Sequence, residues 1–215
     1  MSKLMELSKA VESGRAKIVP GLVQAALDEG NSASVVLNVG MIEAMDRVGE
    51  KFKSGEIFVP EMMVAARAMK MGVEILKLHL AGSDSAWIGK FVMGTVYGDL
   101  HDIGKNLVIM MIEAAGFEVI DLGIDVPVSK FVEAVENDPE VKIVGVSALL
   151  TTTMPAMKET VDALNQSPFR SRFKIMVGGA PVTQEFADEI HADAYTPDAA
   201  EAAKRAKELV LELAG

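Results

Sequence analysis

The chain has 215 residues and no cysteine, which excludes disulfides, thiolate metal sites and cysteine nucleophiles and is compatible with a reducing cytoplasm. Its net charge of −10 argues against nonspecific nucleic-acid binding, which requires a basic surface. No apolar run is long enough for a membrane span, and the first residues lack the apolar core of a signal peptide, so we expect a cytoplasmic protein without membrane attachment.

The first 80 residues have helical periodicity throughout. Glycine, proline and serine residues divide this region into four segments, which predicts a small four-helix bundle. The segments are 4–13, 20–29, a longer helix that Asn31 or Ser32 caps and that ends near Gly55, and 61–80. The apolar positions expected to face the core in the third helix are Val35, Val36, Val39, Ile42, Met45 and Val48. Residues 81–85 are expected to form a linker, so the first domain is predicted to span 1–85.

From Lys90 onward, short apolar strands alternate with helices. The predicted strands are 91–96, 118–121, 143–147, 174–177 and a short one near Ala194, with helices over 105–115, 129–136, 154–165, 183–190 and 198–214. This alternation predicts a doubly wound, parallel, five-stranded sheet over residues 86–215. In the flavodoxin-like strand order 2-1-3-4-5, the loop after the first strand lies at the topological switch point, where such sheets bind ligands.

That loop carries Gly98-Asp99-Leu100-His101-Asp102-Ile103-Gly104. An imidazole with a carboxylate two residues upstream is a candidate metal ligand together with the group that orients it. The alternative is structural: Asp99 and His101 cap the following helix, and Gly104 permits a tight turn.

Two further motifs end strands at the same edge of the predicted sheet. Ser147-x-Leu149 and the hydroxyls of Thr151 and Thr153 follow the third strand, and Gly178-Gly179 ends the fourth. Glycines let a bulky ligand approach the backbone, and hydroxyls offer small hydrogen-bonding groups. Each motif alone also fits a plain turn or a helix cap, but their shared position predicts one binding site.

The complete pattern resembles a known signature. Asp99-x-His101-x-x-Gly104, then 42 residues, Ser147-x-Leu149, then 28 residues, and Gly178-Gly179 is similar to the cobalamin-binding motif of B12-dependent methyltransferase modules. The resemblance covers the whole chain, whose size is similar to the stand-alone corrinoid proteins of the methylamine, methanol or betaine methyltransferase systems in methanogens and acetogens. It implies a helical cap followed by a Rossmann-like cobalamin domain.

The resemblance also implies roles for individual residues. His101 would be the lower axial ligand of cobalt, Asp99 would accept the other ring N–H of His101, and Thr153 would be the third member of this relay. Thr153 stands where the methionine synthase module has a serine. The other residues implied to contact the corrinoid or its nucleotide tail are Gly98, Leu100, Asp102, Ile103, Gly104, Ser147, Leu149, Thr151, Gly178 and Gly179. In the cap, Phe52, Phe58, Val59 and Met62 match apolar positions over the methyl group.

The implied function is that of a methyl carrier, which is not a complete catalyst alone. Co(I) would accept a methyl group from a substrate held by a partner methyltransferase, and methyl-Co(III), in the methylcobalamin form, would pass it to a second methyltransferase acting on a thiol or a tetrahydropterin. A reductive activase is a further expected partner, whereas nucleic acid and membranes are not. The linker 81–85 would be the hinge on which the cap moves aside.

Three alternatives remain open at this point. An adenosylcobalamin-dependent sensor shares the motif, but it usually adds a DNA-binding segment and a tryptophan in its bundle, whereas Trp87 follows the linker here. The cobalamin subunit of a radical mutase shares the motif too, but it seldom carries a four-helix cap. A flavodoxin-like response regulator would require a phosphorylatable aspartate where Ser147 stands.

Overall fold

The computed structural model describes residues 2–80 and 87–214 and contains two compact units. The first holds the described residues up to Trp87 together with Glu113–Gly116, and the second holds Ile88–Ile112 and the residues from Phe117 onward. The predicted linker, 81–85, lies outside the described residues. Within the described parts of the chain, no helix is both long and apolar enough to cross a membrane.

The first unit is helical. Ser2 and Ser32 cap their helices by accepting hydrogen bonds from the N–H groups of Met5 and Val35, as expected of serine at a helix start. The four predicted segments are present, the third as one helical run whose middle turn is a π-helix. The elements are α1 (Lys3–Glu12), α2 (Val19–Asp28), α3 (Ala33–Leu37), the π-helical segment (Asn38–Ile42), α4 (Glu43–Lys53) and α5 (Val59–Leu80).

The π-helical segment changes which residues of the third helix are buried. Val35 and Val39, expected in the core, are exposed, whereas Leu37 and Met41 are completely buried. A π-turn contains more residues than an α-turn, so the apolar stripe moves out of the 3.6-residue phase. Gly40 permits this local packing, because a Cβ atom there would come within 2.9 Å of Leu7 Cδ2 in α1.

The second unit alternates strands and helices as predicted. Its elements are β1 (Lys90–Val96), α6 (Ile103–Ala114), β2 (Glu118–Val126), α7 (Val128–Asn137), β3 (Val141–Ser147), α8 (Met154–Asn165), β4 (Lys174–Gly178), α9 (Gln184–Glu189), β5 (Ala194–Tyr195) and α10 (Ala199–Ala214). The strands pair in parallel in the order β2-β1-β3-β4-β5. The predicted fold class and strand order are therefore confirmed.

The central strands are buried on both faces, as expected of a parallel sheet covered by helices. Two strand glycines admit aromatic rings: a Cβ atom on Gly94 would lie 2.7 Å from the ring of Phe131, and one on Gly145 would lie 2.6 Å from the ring of Phe91. At the carboxyl edge, the register aligns Thr95 with Ser147, and Ser147 with Gly178. The sheet thus brings the predicted strand-end motifs to one place.

Candidate functional site

The centre of the site is the carboxylate of Asp99, which is completely buried in the loop after β1. Its Oδ1 lies 2.7 Å from Nδ1 of His101 and accepts the His101 backbone N–H at 3.1 Å. Its Oδ2 accepts the backbone N–H groups of Leu149, at 2.7 Å, and Leu150, at 3.3 Å. One carboxylate thereby joins the loop after β1 to the loop after β3.

Thr153 completes this set of contacts. Its hydroxyl lies 2.8 Å from Asp99 Oδ2 and 2.9 Å from the carbonyl oxygen of Leu150. Because a hydroxyl carries a single proton, the two acceptors share it. Thr153 belongs to the 3₁₀ turn Thr151–Thr153, which leads directly into α8, so the relay is anchored to a rigid element.

The contacts keep Asp99 ionised. Burial alone raises the pKa of its carboxyl group, but the hydrogen bonds from Leu149 N–H, the His101 ring, the Thr153 hydroxyl and His101 N–H outweigh burial and hold the pKa well below its usual range. An ionised carboxylate can only accept hydrogen bonds, so Nδ1 of His101 carries the proton. In the neutral ring, Nε2 then carries the free electron pair.

His101 is accessible although its partner is not. Its side chain is 49 % exposed, and none of the hydrogen bonds found among the described residues reaches Nε2. The carbonyl of His101 accepts a hydrogen bond of 3.0 Å from Thr95, whose hydroxyl also lies 3.1 Å from that of Ser147. The imidazole is therefore fixed on its Nδ1 side and open on its Nε2 side.

The surroundings of His101 are apolar but exposed. Ile103 is 85 % exposed and Leu100 is 67 % exposed, and Tyr97, Leu149 and Leu150 are exposed as well. Single exposed apolar side chains are common, but five on two neighbouring loops form a patch of the kind that covers a ligand. A Cβ atom on Gly104 would meet no atom within 4 Å, so the space beside the loop is open there.

The two strand-end glycines differ. Gly179 has φ +128°, and a Cβ atom on it would collide with the carbonyl oxygen of Ala148, so the protein's own backbone requires this glycine. A Cβ atom on Gly178 would have only the Thr196 carbonyl oxygen nearby, at 3.5 Å. The surface above Gly178 therefore remains available to a ligand.

The predicted cap residues also differ from one another. Phe58 is 67 % exposed, Val59 is exposed and Phe52 is half-buried, whereas Met62 is completely buried. Phe58 and Val59 stand at the start of α5, where Glu61 accepts the Phe58 backbone N–H at 3.1 Å. Phe58 and Val59 are therefore on the surface of the first unit, whereas Met62 belongs to its core.

Comparison with known proteins decides the family. A family model described as "B12 binding domain" matches residues 89–206, and a second model with the same description matches residues 4–77. The dimethylamine corrinoid protein 1 of Methanosarcina mazei is 42 % identical over 209 residues, covering 97 % of this chain and 96 % of its own length. The chain belongs to the B12-binding family of corrinoid proteins.

Two further similar proteins support the same family. A corrinoid protein of Desulfitobacterium hafniense (strain Y51) is 41 % identical over 213 residues, which are 98 % of each chain. Among solved structures, the methanol:cobalamin methyltransferase complex MtaBC from Methanosarcina barkeri superposes with a TM-score of 0.85 at 31 % identity, covering 97 % of this chain and 80 % of that one.

The residues of this corrinoid protein fit the cofactor of its family. Within the described residues, no cluster of three or more His, Cys, Asp or Glu side chains could hold a metal ion. A metal at Nε2 of His101 must therefore bring its other donors with it, as the cobalt of a corrinoid does. Imidazole is a suitable ligand for such a borderline metal, and the exposed apolar patch suits the face of a macrocycle.

Two residues of the site were not identified from the sequence. Thr95 contacts both His101 and Ser147 through its hydroxyl. The signal in the sequence is a polar side chain near the end of an otherwise apolar strand. Lys105 is almost completely buried at the start of α6 and donates to both carboxylate oxygens of Asp121, at 2.7 and 2.8 Å. This ion pair ties the helix that follows the His101 loop to β2.

Proposed function

We propose that this protein is a corrinoid methyl carrier in which His101 is the lower axial ligand of cobalt. The observation that carries the proposal is the geometry of the imidazole: its Nδ1 is 2.7 Å from a buried carboxylate, while Nε2 is open at the carboxyl edge of the sheet. The similarity to dimethylamine corrinoid proteins and to a methanol:cobalamin methyltransferase complex favours a carrier over the sensor and mutase alternatives.

The bound corrinoid would supply a cobalt that accepts a methyl group in a reduced state and releases it from an oxidised one. The chain's own residues control the axial ligand. Asp99 keeps the proton of His101 on Nδ1, so Nε2 is presented as a donor in one tautomer. Thr153 and the N–H groups of Leu149 and Leu150 keep Asp99 ionised, which strengthens the imidazole as a ligand.

The remaining roles follow the shape of the sheet edge. Ser147, Leu149, Thr151 and Gly178 would line the path of the nucleotide tail, and Gly179 would keep the backbone beside it in place. The loop 98–104 would contact the corrin. Residues 1–85 would form the cap domain and residues 86–215 the cobalamin domain, with Phe58 and Val59 as the cap side chains that are free to meet the methyl group.

The partners belong to the same proposal. A substrate-specific methyltransferase would present the methyl donor, a second methyltransferase would deliver the methyl group to a thiol or a tetrahydropterin, and a reductive activase would restore the reduced cobalt. A methylated amine is the first donor class to test, because the dimethylamine relatives are 41 to 46 % identical to this chain and the methanol complex is 31 % identical.

The axial ligand is tested with the His101→Ala variant of the full chain, loaded with cobalamin. In the Co(II) state, the wild type is expected to show nitrogen splitting from an axial imidazole in its electron paramagnetic resonance spectrum, and the variant is expected to lack the protein's contribution. Labelling all histidines with ¹⁵N distinguishes this nitrogen from the cofactor's own base. The control is His191→Ala, an exposed histidine after α9. Retention of the histidine splitting in His101→Ala would contradict the assignment.

The carrier function is tested by copurifying the partner methyltransferase and supplying it with monomethylamine, dimethylamine, methanol or betaine. Transfer of the methyl group to the loaded, reduced protein is followed in the visible spectrum. We expect one donor class to react through the partner and none to react without it. Failure of every donor with the intact, reduced pair would count against a methyl carrier.

A further inference from the structure

Strand β2 contains an aspartate in an unusual backbone conformation next to the His101 loop. Asp125 has φ +52°, in the left-handed region, and among the described non-glycine residues only His191 shares this property. Such a conformation is rare outside glycine, so its occurrence beside a site indicates a function.

The pairing of β2 with β1 explains how Asp125 reaches this conformation. Met93 pairs with Asp121 and Val96 with Val126, so β2 fits two extra residues into the same length of ladder. Bulges of this kind bend a strand and redirect its side chains, and they are common beside active sites. Gly123, with φ +91°, lies in the same irregular stretch.

The redirected residue holds the His101 loop at two points. The Asp125 carboxylate accepts the backbone N–H of Gly98 at 2.7 Å, and the Asp125 backbone N–H donates to the carbonyl of Asp99 at 3.0 Å. These two groups lie at the start of Gly98 and at the end of Asp99, so they enclose the backbone of both residues. Asp125 therefore fixes the backbone from which the Asp99 carboxylate reaches His101 and Thr153.

We infer that Asp125 is a positioning residue for the axial ligand, acting through the backbone of Gly98 and Asp99 on the orientation of His101. This inference rests on the proposed function, since it assumes that His101 binds cobalt. Groups that orient the first ligands of a metal commonly change metal affinity about 10- to 100-fold when they are removed, although they never touch the metal.

Two substitutions separate the carboxylate from the backbone conformation. Asp125→Gly keeps the left-handed backbone and the N–H donor but removes the acceptor for Gly98. Asp125→Asn keeps an acceptor oxygen, and asparagine tolerates the left-handed region. The matched control is His191→Gly, which makes the same backbone change at the other left-handed position.

The readout is a cyanide titration of the cobalamin-loaded proteins, followed in the visible spectrum. The first cyanide would take the upper position of Co(III) and a second would displace the lower ligand, so the concentration required for the second step reports how strongly His101 is held. We expect Asp125→Gly to need about tenfold less cyanide, and Asp125→Asn and His191→Gly to match the wild type. A wild-type midpoint in Asp125→Gly overturns the inference while leaving the axial ligand intact. Absence of the histidine nitrogen signal in the wild type overturns the proposed function instead.

A second measurement needs no cofactor. Hydrogen exchange of the Gly98 amide in the free protein should be about fivefold faster in Asp125→Gly, because the amide loses its acceptor. The Ile175 amide, which donates to Asp193 and has no contact with Asp99 or Asp125, is the internal reference. Equal exchange rates of the Gly98 amide in wild type and Asp125→Gly would show that the hydrogen bond from Gly98 to Asp125 does not form in solution. This result would also overturn the inference.

Discussion

The two edges of the sheet differ in how their charged groups are stabilised. At the amino edge, charged groups pair with each other near solvent: Lys90 contacts Asp138 at 2.8 Å and Glu140 at 2.9 Å, and Arg170 contacts Asp193 at 2.7 Å. At the carboxyl edge, the Asp99 carboxylate is fully buried and is held by N–H and O–H donors and one imidazole. Exposed apolar side chains such as Leu100 and Ile103 lie beside it there.

The amino edge therefore has charged groups that are already paired, whereas the carboxyl edge has an accessible ring nitrogen and exposed apolar side chains that a ligand could contact. The ion pairs at the amino edge are partly buried, and in each of them two opposite charges contact one another. The carboxyl edge uses the buried carboxylate of Asp99 to fix a ring nitrogen and leaves the other nitrogen and an apolar patch open. Both the buried carboxylate of Asp99 and the exposed side chains around His101 therefore distinguish the ligand site from the rest of the sheet.

Removing the buried carboxylate should have the largest effect on stability. Asp99→Ala leaves four N–H or O–H donors and the His101 ring without their acceptor, and we expect a loss of about 4 kcal/mol in the free energy of unfolding. Asp138→Ala at the amino edge removes a partly exposed partner of Lys90 and should cost less than about 1 kcal/mol. Denaturant unfolding of both variants measures the contrast. Equal losses would remove the distinction between the two edges.

Strong acid should abolish the stabilisation that the Asp99 carboxylate provides. The pKa of Asp99 in the folded protein lies well below the ordinary value of 3.8, so its contribution to stability is fully present above about pH 4 and is lost as the pH falls through the folded pKa. The difference in unfolding free energy between wild type and Asp99→Ala should thus be constant near neutrality and shrink in strong acid. Unfolding curves over this pH series provide the measurement, and a difference that grows on acidification would contradict the assigned pKa shift.

Two glycines test which parts of the carboxyl edge serve the fold and which serve the ligand. Gly179→Ala places a Cβ atom against the Ala148 carbonyl at a left-handed position, and we expect a loss of about 3 kcal/mol. Gly104→Ala meets open space near the start of α6 and should leave stability unchanged or raise it by about 0.5 kcal/mol. Its Cβ atom should instead weaken cobalamin binding, measured by titration of the free protein. Unaltered affinity would place the corrin elsewhere.

Much of this arrangement could be predicted from the sequence. Short apolar runs separated by helical periods identify β1, β3 and β4, and parallel strands in this order bring His101, Ser147 and Gly178 to one edge. These features depend on local periodicity and on general rules of topology, so one sequence is sufficient to predict them.

Other features depend on packing at a distance and were not predicted. In the π-helical segment Val39 is exposed and Gly40 packs closely against Leu7 of α1, which the local sequence does not reveal. The irregular pairing of β2 redirects Asp125, in the part of the strand beyond residue 121, where the predicted strand ended. The need for glycine at position 179 arises from the Ala148 carbonyl on another strand's loop. Each depends on a residue far away in the chain.

The smallest expected effect concerns Thr153, whose hydroxyl connects the relay to the 3₁₀ turn before α8. Thr153→Val keeps the shape but removes the donor to Asp99 and Leu150, and we expect a loss of about 1.5 kcal/mol in the free energy of unfolding. Thr153→Ser retains the hydroxyl and should lose about 0.8 kcal/mol, since it removes one buried methyl group. The comparison is made by denaturant unfolding of the free protein. A larger loss in Thr153→Ser than in Thr153→Val would assign the role of Thr153 to its methyl group, and the carboxyl edge would then depend on packing where we attribute it to a hydrogen bond.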